Sequence, residues 1–81
     1  MHSNELEALI KAGIPGAEVV VKGEGDHFEA TVNSDRFESC TMVRQHQMVY
    51  GTLGERMGGE IHALALRTYT PEQWRKQRRL Q

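Results

Sequence analysis

Sulfur, proline and aromatic side chains are scarce in this 81-residue chain. Its one cysteine, Cys40, excludes an internal disulfide framework and any metal site built from cysteines alone. A reducing compartment suits such a chain. With two prolines, Pro15 and Pro71, it has no proline-rich linker. No apolar run approaches the ~20 residues of a membrane-spanning helix. The start, Met1-His2-Ser3-Asn4-Glu5, lacks the pattern of a signal peptide. The expectation is a cytoplasmic protein without membrane contact.

Positive charge is unevenly placed as well. Arg75, Lys76, Arg78 and Arg79 concentrate it in a basic tail over residues 75–81. The six remaining cations face eleven acids, so residues 1–74 carry a net charge of −5. Such a body repels nucleic acid, and only the tail attracts it.

The length allows a single domain, residues 1–81, with no second core. A chain this short buries only about 60% of the surface its unfolded state exposes. A deep catalytic cleft is not expected, and no Ser-His-Asp or paired-carboxylate arrangement stands out. Gly23-Glu24-Gly25 joins two strands rather than a strand and a helix, which excludes a phosphate loop. The chain reads as a non-enzyme whose surface carries its function.

Asn4 and Glu7 have the spacing of a capping box, and Leu6, Leu9 and Ile10 follow at helical intervals. Gly13 and Pro15 end that helix. Val19-Val20-Val21 reads as a buried strand, and Gly23 to Asp26 as a turn. Phe28, Ala30 and Val32 alternate with His27, Glu29 and Thr31, a half-buried strand that completes a hairpin. A helix fits from Thr41 to Tyr50, with Met42, Val43, His46, Val49 and Tyr50 as its inner stripe. Gly51 is expected to interrupt it, with a short second helix over Leu53 to Met57. Ile61 to Tyr69 is a third strand. Thr70-Pro71-Glu72-Gln73 places threonine at N-cap, proline at N1 and glutamine at N3 of a last helix anchored by Trp74. The predicted fold is α+β in the order α-β-β-α-α-β-α, with helices packed on one face of a three-stranded mixed sheet.

Two stretches carry a resemblance. Thr41-Met42-Val43-Arg44-Gln45-His46-Gln47-Met48-Val49-Tyr50 resembles the central helix of the BolA-like family, whose pattern is Val-x-Arg-His-Arg-x-Val-Tyr. Ile61-His62-Ala63-Leu64 with Thr68-Tyr69-Thr70-Pro71-Glu72-Gln73-Trp74 resembles the family's C-terminal signature, and Gly25-Asp26-His27-Phe28 its first strand–strand loop. The short length and the sequence around Tyr50-Gly51 look most like the IbaG acid-stress subgroup. The resemblance implies a class II KH-like fold. It implies a partner, a monothiol glutaredoxin with a Cys-Gly-Phe-Ser active site, and a [2Fe-2S] cluster shared with that partner and glutathione. The functions implied are iron–sulfur cluster trafficking and iron, redox or acid-stress regulation. The resemblance also assigns metal-ligand positions to His62 and His27.

The family's other described role is a transcriptional regulator. Here DNA would be held by Arg44 and His46 on the central helix pair and by Arg75, Lys76, Arg78 and Arg79. Gln45 and Gln47 stand where many relatives carry arginine, which weakens that alternative. A protein acting through contacts alone, and an apo homodimer, are left open.

Ligand arithmetic agrees with a shared site. A [2Fe-2S] cluster takes four ligands, and two histidines can replace two thiolates on one iron. With one cysteine and four histidines, this chain supplies an imidazole pair but not a full set. No cofactor is therefore expected in the isolated chain. From the residues alone, His62 alternates with Leu64 and Leu66 as a core histidine would, and His27 suits a solvated loop; His46 suits a packing role, and Cys40 an incidental one. Ligation requires deprotonated imidazole, and free histidine titrates near pH ~6.5. A cluster held this way is expected to become labile in mild acid. Cluster absorbance of the joint complex, followed down to about pH 5, checks this; unchanged absorbance would contradict it.

Overall fold

Gly25 and Asp26 alone reverse the chain between β1 (Glu18–Glu24) and β2 (His27–Asn33). Gly25 has φ 68°, the left-handed geometry a tight hairpin needs at its first turn position. The turn is shorter than expected because Gly23 and Glu24 stay in register with Phe28 and His27. The computed structural model describes residues 1–79, the side chain of Arg79 excepted. The rest of the basic tail, residues 80–81, lies outside the described residues.

β3 (Ala63–Tyr69) runs parallel to β2, giving a mixed three-stranded sheet in the order β1-β2-β3. α1 (Ser3–Gly13) and α2 (Met42–Leu53) cover one face of it. α3 (Pro71–Arg79) follows β3. The core unites Leu6 and Ile10 of α1, Val49 and Leu53 of α2, and Val19, Phe28, Ala30 and Val32 of the hairpin. Ile14, Phe37 and Ile61 close its edges. Each such side chain contributes about 1.5–3 kcal/mol on burial. The predicted α+β class and three-stranded mixed sheet are observed, with one central helix where two were expected.

Several boundaries differ from expectation. α1 starts at Ser3, so Asn4 is inside the helix. The cap position is His2, which is extended (φ −100°, ψ 153°) and makes no side-chain cap hydrogen bond. The His2 carbonyl accepts from the N–H groups of Glu5 and Leu6 instead. β1 is only half buried: Val19 is inside, while Val20 is 49% exposed on the uncovered face. Val20, Lys22, Glu29, Thr31, Ala65 and Arg67 line a shallow depression there.

Gly51 does not break α2. A helical glycine costs about 1 kcal/mol relative to alanine, and burying Leu53 in the next turn outweighs it. The helix ends at Gly54, which has φ 56°. Gly54–Arg56 is a single 3-10 turn with no buried residue, and it replaces the second helix expected over Leu53 to Met57. β3 begins two residues late. Ile61 is instead fully buried and forms an isolated bridge with Met57.

The inner stripe of α2 is also rotated from expectation. Gln45, Val49 and Leu53 are buried, whereas Met42 and Val43 are 59% and 67% exposed. Gln45 earns its interior place through hydrogen bonds. Its Nε2 donates to the carbonyls of Phe37 (3.3 Å) and Cys40 (3.0 Å), and its Oε1 accepts from Thr68 Oγ1 at 2.7 Å. A buried amide is tolerated only when paired in this way. The predicted box at α3 is present: Thr70 Oγ1 accepts from Gln73 N–H at 3.2 Å, and Gln73 Oε1 from Thr70 N–H at 3.0 Å. Trp74 leans on Tyr69 with ring centres 5.4 Å apart.

Gln45→Leu keeps the side chain's bulk but leaves two carbonyls and a hydroxyl without this partner. It is expected to cost about 1–3 kcal/mol in urea denaturation. Val43→Ala on the exposed side should stay within about 0.5 kcal/mol.

Candidate functional site

Because β2 and β3 are parallel, their first residues share one end of the sheet: His27 pairs in register with Ala63. The Asp26 carbonyl accepts both the His62 N–H (3.0 Å) and the Ala63 N–H (3.1 Å). His62, which immediately precedes β3, is thereby fastened to the hairpin turn that precedes His27. The two candidate ligands, far apart in sequence, meet at one place.

Both are open to solvent: the side chains of His27 and His62 are 74% and 62% exposed. Exposure excludes the core reading of His62. Leu64 and Leu66 are half-buried in β3, while His62 lies just outside the strand. The Asp26 carboxylate stands between the rings. Its Oδ1 is 2.5 Å from His27 Nδ1, and its Oδ2 is 3.8 Å from His62 Nε2. The His27 hydrogen bond holds the Asp26 carboxyl below its ordinary value of 3.8. The charges of His27 and His62 add to this effect, and desolvation opposes it. Asp26 was legible in the sequence only as a turn residue.

Gly23 supports the site from behind. It has φ +127°, and a Cβ there would lie 2.4 Å from the His27 carbonyl oxygen and 2.9 Å from Phe28 Cα.

Among the described residues, no group of three or more His, Cys, Asp or Glu side chains is arranged to hold a metal ion. The pair nonetheless fits a metal group whose other ligands come from elsewhere. Both rings are accessible at one end of the sheet, and His27 Nε2 is not engaged by Asp26. Cys40 belongs to the other end of the sheet. Its carbonyl is bonded to Gln45, which is bonded to Thr68, and Thr68 pairs with Val32. The Cys40 thiol rests 3.6 Å from the Arg36 carbonyl oxygen.

The residues considered for nucleic acid are spread differently. Arg44 is exposed on α2, and Arg75, Lys76 and Arg78 are exposed on α3. Lys76 pairs with Glu72 at 3.5 Å. The side chain of Arg79 lies outside the described residues. His46 is half-buried and meets Tyr50 edge-on at 6.4 Å, and its buried Nε2 has no hydrogen-bond partner among the described residues. In place of the expected central helix pair there is the single helix α2 followed by a 3-10 turn. Gln45, buried, cannot face a ligand, so only Gln47 bears on the charge of the exposed surface.

The sequence pattern of the family described as BolA-like protein matches residues 4–73. The acid stress protein IbaG of Escherichia coli K12 is 33% identical over 81 residues, covering 99% of this chain and 96% of the relative. The solved structure of a bolA protein homologue from Coxiella burnetii superposes with a TM-score of 0.84 at 37% identity, covering 93% of this chain and 97% of the other. The solution structure of mouse BolA1 gives a TM-score of 0.75 at 29% identity, covering 94% of this chain and 70% of that one.

Gly23→Ala places a methyl group against the His27 backbone in a conformation that L-residues avoid. It is expected to destabilise the domain by more than about 1 kcal/mol. It should also shift the His27 and Phe28 amide signals in a heteronuclear NMR spectrum, whereas Gly25, with open space around it, offers no such clash.

Proposed function

The chain belongs to the BolA-like family, and on that premise we propose that it is a non-enzymatic adaptor for iron–sulfur cluster handling. In this reading it binds a monothiol glutaredoxin of the Cys-Gly-Phe-Ser type in the cytoplasm. The two proteins share a [2Fe-2S] cluster completed by glutathione. The biological role is cluster trafficking and iron, redox or acid-stress regulation. Its relation to an acid stress protein supports the last of these.

One observation carries the reading: His27 and His62 are exposed, adjacent to one carboxylate, and at one end of the sheet. The lone thiol, Cys40, is tied to the other end through Gln45 and Thr68, which supports thiolates supplied by another molecule. When bound, the group would supply one-electron and cluster-transfer chemistry. The chain's own task is to present two imidazoles in a fixed arrangement. Neutral imidazoles leave the cluster less negative than thiolates would, which raises its reduction potential. The exposed cations Arg75, Lys76 and Arg78 suit an acidic partner or the glutathione carboxylates. Among the described residues no helix is long and apolar enough to cross a membrane.

Reconstitution with a Cys-Gly-Phe-Ser glutaredoxin, iron, sulfide and glutathione tests the reading. The wild-type mixture should give a joint complex whose visible spectrum differs from that of the glutaredoxin alone. His62→Ala should abolish that difference, and His27→Ala should alter it. The same cluster complex with an unaltered spectrum from His62→Ala would remove His62 as a ligand.

A further inference from the structure

We infer that Asp26 is the positioning residue of the imidazole pair: its carboxylate fixes which ring nitrogen of His27 faces outward, and its carbonyl fixes where His62 stands. The inference rests on the shared-cluster reading for its purpose, though not for its geometry.

An ionised carboxylate can only accept hydrogen bonds. With Oδ1 at 2.5 Å, His27 Nδ1 must therefore carry a proton. When the ring is neutral, its lone pair is then on Nε2, the nitrogen turned away from Asp26. Metal-bound histidines commonly donate the other ring N–H to a carboxylate or carbonyl, which sets the tautomer and raises ligand basicity. His27 has that arrangement before any metal arrives.

The second oxygen of the same carboxylate lies 3.8 Å from His62 Nε2. That is too long for a direct hydrogen bond, but it is close enough for attraction when the ring is charged. His62 is placed chiefly by the backbone, through the two N–H groups of His62 and Ala63 on the Asp26 carbonyl. Asp26 thus acts on His27 through its side chain and on His62 through its main chain. A side-chain substitution removes the first action and keeps the second.

The experiment has two arms. In the first, ring nitrogen shifts of the isolated chain are recorded near pH ~8, where free imidazole is neutral. Wild-type His27 should be the Nδ1–H tautomer. Asp26→Ala should lose that preference while the His62 and Ala63 amide signals stay near their wild-type positions. Asp26→Leu, of similar size and without a polar atom, serves the same purpose if the alanine disturbs the turn. In the second arm, Asp26→Ala is reconstituted with the Cys-Gly-Phe-Ser glutaredoxin, and the joint cluster is challenged with an iron chelator. Retention should fall on the order of 10–100-fold, the usual effect of losing such an orienting partner. A His27 tautomer that is the same with and without the carboxylate overturns the inference, whatever the cluster does. A changed tautomer with undiminished cluster retention overturns the positioning role. A wild-type chain with ordered His27 that takes up no cluster overturns the shared-cluster reading and leaves the ring ordering standing.

Discussion

The parallel pairing of β2 with β3 is the constraint on which the rest of the molecule depends. Antiparallel neighbours would put the starts of the two strands at opposite ends. Parallel neighbours put them side by side, so His27 and Ala63 are in register and His62 arrives at the hairpin turn. The link between such strands cannot be a short turn, because the chain must return the full length of the sheet. Here the return is made by α2 and the 3-10 turn after it.

That return explains the composition of the core. A crossover helix is retained only if it buries a face against the sheet, and α2 does so with Gln45, Val49 and Leu53. Two of these are apolar and one is an amide. The amide ties three segments together: the chain before α2 through the Phe37 and Cys40 carbonyls, α2 itself, and β3 through Thr68. Apolar packing tolerates sliding along its own surface. A hydrogen-bonded amide does not, because displacement leaves several buried groups unpaired. The Gln45–Thr68 bond at one end of β3 and the Asp26 carbonyl at the other therefore pin the strand at both ends.

How much of this the sequence discloses depends on the range of the interaction concerned. Period-two alternation in β2, the Thr70–Gln73 box and the hairpin all depend on neighbours a few residues away, and all are legible. Gly51 was misleading for the same reason. Its local helix penalty is visible in the sequence, but the burial of Leu53 that overrides it is not. Gln45 is polar and so reads as surface. Its interior place depends on Thr68, which is remote in sequence. The site divides in the same way. The resemblance pointed to His27 and His62 as residues, but not to their common neighbour. Asp26 looks like ordinary turn chemistry until the parallel register brings His62 to it. The separation of Cys40 from the histidines follows only from the three-dimensional order of Cys40, Gln45 and Thr68.

The two ends of the sheet consequently have different chemistry. One end carries two imidazoles and a carboxylate in open solvent, with no thiol and no third suitable side chain among the described residues. The other carries the buried amide network and the start of α3, whose exposed cations extend from there. On the proposed reading, a metal group at the first end is neither enclosed nor fully ligated by the described residues. Any stability it gains must come from a second molecule that supplies ligands and excludes water. Binding of the partner and binding of the metal would then be a single thermodynamic event, since each completes the site for the other. On the proposed reading, a small domain takes part in metal chemistry by contributing two rings held in place by one turn.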